Sequence, residues 1–516
     1  MLTFTQGEGP KLPDVSAPKI DWLIFFGSVT TIVLLCIPLA LNPEAGKEIL
    51  GAAFDYLTET FGFLYVVSAI FVFVFLLYLA FGRHGGIRFG DSPPEYSTFS
   101  WSAMLFCGGI GTSVLYWGTV EWAYYFQNPP YEVDAKSPEA LLWSVSYPIF
   151  HWGLLGWGLY CLPGIAVGLA FYRGGAGSLR LSEACEPVIG KLAKGFLGRL
   201  IDYLYVVGLI GALSTSLGLA VPLIAELVSE LFSLDRQRLG FGLDVVVIAS
   251  ISLVFCASVW VGLDKGVKRL SNINVYLAFF LLLFVFLVGP TLFILELSIS
   301  GIGHMFQNFI KMSTWLDPMQ RSDFVESWTV FYWAWWIALG PYMGIFIARI
   351  SKGRSLKQII LGCLIYGTTG CTLFFMILGN YAIFLELNEL VSFLQILNDE
   401  GAPVAIIKVV QTLPLTTITL VAFTVLCVIF AATSFDSASY TLAMVATKDL
   451  GADDHPGKWH RMFWACLVGI LPITLIYMGG LKPLQSAVTL ASVPLLVIFA
   501  MMVWGLKINL SKIESS

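Results

Sequence analysis

The residues best equipped for chemistry in this sequence are indoles. Between Trp328 and Trp336 the chain reads Trp328-Thr329-Val330-Phe331-Tyr332-Trp333-Ala334-Trp335-Trp336, with four tryptophans in nine positions. A second run, His151-Trp152-Gly153-Leu154-Leu155-Gly156-Trp157-Gly158-Leu159-Tyr160, spaces Trp152, Trp157 and Tyr160 by five and three, on one broad helical face with glycines between. Aromatic faces attract cations through their quadrupoles, at roughly 0.5–2 kcal/mol per ring. The guest that needs them most is a quaternary ammonium, whose charged centre has no hydrogen-bond donor. The tryptophan cluster carries no dedicated carboxylate, which fits a zwitterion whose own anion docks elsewhere. Two plainer readings compete: an aromatic core, and the interfacial tryptophan belt of a membrane protein. The belt suits Trp328. It does not suit Trp335 and Trp336, roughly 11 Å further along the helix, where a buried indole N–H needs a partner.

The elements that must hold these rings follow from composition. Of 516 residues, 57% are hydrophobic and 12% charged, against about a quarter charged in soluble domains, and the mean hydropathy is +0.80. A polytopic membrane protein is expected. The net charge of −5 excludes the basic footprint of a nucleic-acid binder, so no nucleic-acid partner is expected. Nine cysteines without a CxxC pair indicate neither a disulfide framework nor a zinc site. A spanning helix needs about 20 apolar residues, and twelve stretches qualify: 22–41, 61–81, 99–126, 140–172, 200–231, 243–263, 273–298, 327–350, 358–385, 414–446, 460–479 and 484–506. About twenty polar residues precede the first, so no cleavable signal is expected. Lys and Arg set the orientation. With both termini cytoplasmic, 21 of the 29 basic residues lie inside, and Lys47, Lys136, Arg236, Arg238, Lys311, Arg321, Lys408 and Lys482 lie outside. The segment 299–326 repeats apolar residues at helical spacing among Asn, Gln and Lys, and reads as an amphipathic helix at the outer surface or an ordinary loop helix.

Two spans carry backbone irregularities. Span three contains Cys107-Gly108-Gly109-Ile110-Gly111-Thr112-Ser113, and span eight contains Gly340-Pro341 followed by Gly344. Glycine is a poor helix former and proline removes a donor. Paired interruptions five spans apart imply that spans 3–7 recur upside down as 8–12, the pattern that marks a transporter's midplane site. The other reading of each glycine is close helix packing. Intramembrane ionisable residues are functional candidates by default. Glu121 and Asp436 are the ones that stand out, as proton couplers or as hydrogen-bonded packing anchors. Thr433 and Ser434 offer adjacent hydroxyls deep in span ten, either as hard ligands for a cation or bonded back to their own helix.

The span-eight run, continuing to Ala348-Arg349-Ile350-Ser351-Lys352-Gly353-Arg354-Ser355, resembles the signature of the betaine/choline/carnitine transporter (BCCT) family. The Gly-rich turn of span three, the His-Trp-Gly of span four, Lys265-Gly266 and Thr433-Ser434 extend the match over nearly the whole chain. The resemblance implies an all-α membrane protein of twelve transmembrane helices, with a LeuT-like 5+5 inverted repeat preceded by two extra helices. It also implies a homotrimer in the bacterial inner membrane. The organisation expected is 1–98 for the cytoplasmic N-terminus and two peripheral helices, 99–298 for the first repeat, 299–326 for the surface helix and loop, 327–506 for the second repeat, and 507–516 for a short cytoplasmic tail. By resemblance, Trp152, Trp157, Tyr160 and Trp336 match the family's trimethylammonium box, with Trp335 beside it. Tyr124 matches an aromatic of the carnitine branch, and Gly109-Ile110-Gly111 the stretch whose backbone meets the ligand. Two positions depart from the pattern: Ser113 replaces a third glycine, and Leu339 replaces a tryptophan of the betaine carriers.

The same resemblance assigns sodium to Thr433 and Ser434, with carbonyls near Cys107, Ile110 and Phe430. No cofactor is expected besides sodium as the coupling ion. The carnitine-branch exchangers place an arginine where Asn274 stands, so the uncharged residue favours a free ion. The function expected is import of a quaternary-ammonium compound such as glycine betaine, choline or carnitine, coupled to sodium. The alternatives are a sodium-independent exchanger of the carnitine type and proton-coupled choline uptake. An enzyme is not expected, since of five histidines only His151 falls inside a span, His460 standing at the first position of another, and no GxSxG element occurs. Osmotically gated members carry long charged tails; the short end at Lys512-Ile513-Glu514-Ser515-Ser516 leads to an expectation of nutrient uptake without strong osmotic activation.

Overall fold

The computed structural model describes residues 19–108, 111–261, 264–319, 321–448 and 455–515, with only the backbone described at 258, 261, 264–272 and 515. Within these residues the chain is almost wholly helical. Nine helices are long and apolar enough to cross a membrane, or up to eleven when each of two bent pairs counts as one span. The stretch expected as the sixth span is described as apolar over Phe241–Ala257 and then runs into undescribed positions, so the count of twelve is not reached among the described residues.

Two outer helices come first. Asp21 caps α1 (Trp22–Leu41) by accepting from Leu23 N. Asn42 caps α2 (Pro43–Phe81), and Pro43 takes its first turn, where a missing N–H costs nothing. α2 therefore starts eighteen residues before the expected boundary at 61, carrying Glu44, Lys47, Asp55 and Glu59 in turns that the apolar window did not include. Both helices turn large apolar side chains outward, among them Phe26, Leu34, Phe63, Phe71 and Val74. This is the pattern of a lipid-facing periphery.

The inner helices are α3 (Thr98–Gly108 and Thr112–Gln127), α4 (Pro138–Tyr172), α5 (Phe196–Phe232), α6 (Phe241–Val261), α7 (Asp264–Val288), α8 (Val325–Ile350), α9 (Leu356–Leu387), α10 (Thr416–Val445), α11 (Lys458–Met478) and α12 (Lys482–Ser515). α3, α4, α8 and α9 pack against one another, and α5, α10 and α12 close around them. A two-residue antiparallel pairing of β1 (Lys19–Ile20) with β2 (Thr447–Lys448) joins the chain's start to the end of α10.

Two expectations are corrected. α3 breaks where the glycines stand, its halves inclined by 58°, but α8 does not break at Gly340-Pro341. Its helix runs unbroken from Phe331 to Ile350, and its irregular turn is a π-turn at Val325–Val330. The α8 glycines serve packing instead. A Cβ on Gly344 would fall 2.7 Å from Gly164 N, and one on Gly340 2.8 Å from a ring carbon of Phe499. Span seven ends at Val288 rather than 298, because Gly289-Pro290 turns the chain by 109° into a helix over Thr291–Thr314. The surface helix thus starts eight residues before 299. Residues 507–515 continue α12 as helix, with Glu514 Oε1 2.8 Å from Arg83 Nε and 3.0 Å from His84 Nε2.

Candidate functional site

α4 is itself interrupted at the residue that matters. Pro148 cannot donate to the preceding turn, and Gly153 adopts a backbone in which a Cβ would lie 2.4 Å from the Ile149 carbonyl. The helix ends at His151 and restarts at Leu154, so Trp152 projects from the break. Across from it, Trp335 and Trp336 leave α8 on adjacent positions. Gly156 makes room for the Trp336 ring, from which a Cβ would be only 2.5 Å away.

The rings converge. Tyr160 and Trp336 lie 4.2 Å apart between centroids, Trp152 is 5.9 Å from both Trp335 and Trp336, and Trp157 is 6.0 Å from Trp336. Trp152, Tyr160, Trp335 and Trp336 line the upper end of a cavity of about 670 Å³. Trp157 does not line it; it is fully buried behind Trp336, against Tyr160 and the backbone of Gly367. Tyr124 lies away from this cavity, 5.2 Å from Trp328 and 6.1 Å from Trp117 near the opposite end of α3. Gly111 and Ser113 line the cavity beside Thr112, whereas Gly109 and Ile110 fall outside the described residues. Gly111 is the uncapped N-cap of the second half of α3. Val114 N donates to the Gly111 carbonyl at 3.1 Å, while the Thr112 and Ser113 N–H groups have no backbone partner among the described residues, a favourable position for an anion.

Behind the cage, on the side away from the cavity, sits Glu121, with no exposed surface. Trp152 Nε1 donates to its Oε2 at 3.0 Å, Tyr125 Oη donates to Oε1 at 2.7 Å, and Tyr332 Oη donates to Oε2. His151 continues the network through Tyr125 at 3.0 Å and Thr329 at 3.1 Å. Glu121 thus fixes one cage indole and two neighbouring phenols at once. Trp335 is fixed separately, by donation to the Ala212 carbonyl of α5 at 3.2 Å.

Below the rings, α10 presents Thr433, Ser434 and Asp436 to the cavity, and Cys107 lines it from α3. Thr433 Oγ1 and Ser434 Oγ both donate to the Phe430 carbonyl, at 3.0 and 2.9 Å. Each hydroxyl oxygen keeps lone pairs, so the donor set suits a small hard cation. Thr112 Oγ1 donates to the Cys427 carbonyl at 3.2 Å, which ties the α3 break to this stretch of α10. Asn274 donates to the next carbonyl back, Leu426 O, at 3.2 Å. Asp436 accepts from Arg461 at 3.0 Å. Lys265, Gly266 and Lys268 lie where side chains are not described, and the Gly451–Asp454 linker is undescribed. Sequence reasoning missed Tyr332 and the α5 wall formed by Leu213, Ser216 and Leu217. The hydroxyl run Ser214-Thr215-Ser216 was the one signal available for that wall.

Residues 23–515 match the model of the betaine/carnitine/choline family of transporters, BCCT. The chain belongs to the BCCT family. Among its curated relatives is a carnitine transporter of Acinetobacter baumannii, 33% identical over 485 residues that cover 93% of this chain and 88% of that protein. Another is the uncharacterized transporter YeaV of Escherichia coli, 36% identical over 431 residues, covering 83% of this chain and 89% of its own. This BCCT protein is therefore a multi-pass membrane transporter of a small molecule.

Proposed function

We propose that this BCCT protein imports a trimethylammonium compound, glycine betaine, carnitine or choline, coupled to sodium. The observation that carries the reading is the cage of Trp152, Tyr160, Trp335 and Trp336 at the head of a cavity that continues down to the exposed His455. Indole and phenol faces suit a methylated cation, and the uncapped α3 helix start suits the carboxylate of a zwitterion. Sodium held by the Thr433 and Ser434 hydroxyls and the Phe430 carbonyl would brace the α3 break through α10, favouring the substrate-ready turn. Alternating access then follows from rocking α3, α4, α8 and α9 against the remaining helices. The three buried donors to Glu121, one of them a cage indole, favour a packing role for it over a proton shuttle. The family resemblance carries the inner-membrane location, cytoplasmic termini and homotrimer as parts of the same proposal.

The test is uptake of labelled glycine betaine, carnitine and choline by cells or proteoliposomes, with external sodium replaced by potassium. The expected result is loss of uptake of the transported compound without sodium. Undiminished uptake would replace symport with exchange of the carnitine type.

A further inference from the structure

The cavity has a second end of different chemistry. From Trp336 to Arg349, α8 advances about 20 Å along its axis, and both residues line the same space. Arg349 is half-buried at the lower end. Its hydrogen bond among the described residues goes from Nη2 to the Met444 sulfur at 3.5 Å, a weak acceptor. Among the described residues, the neighbouring Arg461 pairs with Asp436 at 3.0 Å, and its guanidinium lies 5.3 Å from the Tyr440 ring centroid. His455 completes this rim through its bond to Tyr440 at 2.8 Å. The upper end therefore favours a cation by aromatic faces, and the lower end presents a guanidinium whose hydrogen bond among the described residues goes to a thioether.

We propose that Arg349 is a second station for the substrate, taking the carboxylate of a zwitterionic onium compound after it leaves the cage. The inference rests on the function proposed above. A molecule the size of glycine betaine cannot reach both ends at once, so they act in turn. A guanidinium holds a carboxylate through two parallel N–H donors. A bare cation such as choline gains nothing there and is repelled. Arg349 thus lowers the barrier to release for carboxylate-bearing cargo alone, and it sets specificity on the path rather than in the cage.

The experiment compares the wild type, Arg349→Gln and Arg349→Lys in proteoliposomes, with binding to the purified proteins followed by tryptophan fluorescence. The expected result is a maximal glycine betaine rate about fivefold lower in R349Q, partly restored in R349K, which keeps the charge but not the paired donors, with fluorescence-detected affinity unchanged. Where the wild type also carries choline, its rate should not fall. Equal loss for both compounds, equal defects in both variants, loss of cage affinity, or no effect would each overturn the station. Transport of choline but of no carboxylate-bearing compound by the wild type would also overturn it. A wild type that binds no onium compound defeats the proposed function itself, a separate result.

Discussion

Trp336 stands between Tyr160 and Trp152, with centroids at 4.2 and 5.9 Å, and is 4% exposed. Replacing it removes the central face of the cage. At roughly 0.5–2 kcal/mol per aromatic face, and tenfold per 1.4 kcal/mol, Trp336→Leu should raise the half-saturation constant about tenfold, with expression and assembly retained. Initial-rate kinetics across substrate concentrations check this; wild-type kinetics would remove Trp336 from the site. The indoles were legible in the sequence because their number and depth exceed what an interfacial belt needs. Glu121 was legible only as two alternatives. Its partners Trp152 and Tyr332 lie 31 and 211 positions away, and no periodicity reports a hydrogen bond across such a separation. Tyr124, carried over by resemblance, lies instead beside Trp117 and Trp328, because its position on α3 is more than two turns beyond the break.

Helix elements position the rings through backbone proximity, and glycine is what permits it. A Cβ on Gly156 would stand 2.5 Å from Trp336 Cε2, closer than any unforced contact, so Gly156→Ala must tilt the ring. The expected outcome is a substrate affinity several-fold weaker, by the order of 1 kcal/mol that overpacking costs, in a protein that still assembles; size-exclusion profiles and fluorescence titration read the two effects separately. The sequence could not separate a glycine that breaks a helix from one that admits a neighbour. At Gly108 to Gly111 the first reading fits the described ends of α3, and at Gly340 and Gly344 the second holds. The difference lies in which helix faces each glycine. Pro290 shows the same limit: the apolar run continues through it, yet the chain turns by 109°. The early start of α2 escaped for a related reason, since an apolar window measures lipid contact and does not register a helix that projects beyond it.

Over the whole molecule, the all-α membrane architecture was legible from composition and hydropathy alone, because those quantities decide the solvent in which the chain folds. The cavity was not, since its walls come from α3, α4, α5, α8 and α10 together. Its two ends differ in chemistry, with aromatic faces at one and a guanidinium at the other. The proposal that unites these scales is electrostatic attraction between ring faces and a methylated cation. The most direct measurement compares the affinity of the purified protein for a bound onium compound with that for its uncharged-head isostere, in which a carbon replaces the nitrogen: glycine betaine against 3,3-dimethylbutyrate, and choline against 3,3-dimethylbutanol. The two members of each pair match in shape and apolar area and differ in the charge of the head. The account predicts that the isostere binds at least about tenfold more weakly, the sum of several cation–π contacts. Equal affinity within each pair would contradict it, reducing the cage to a hydrophobic pocket.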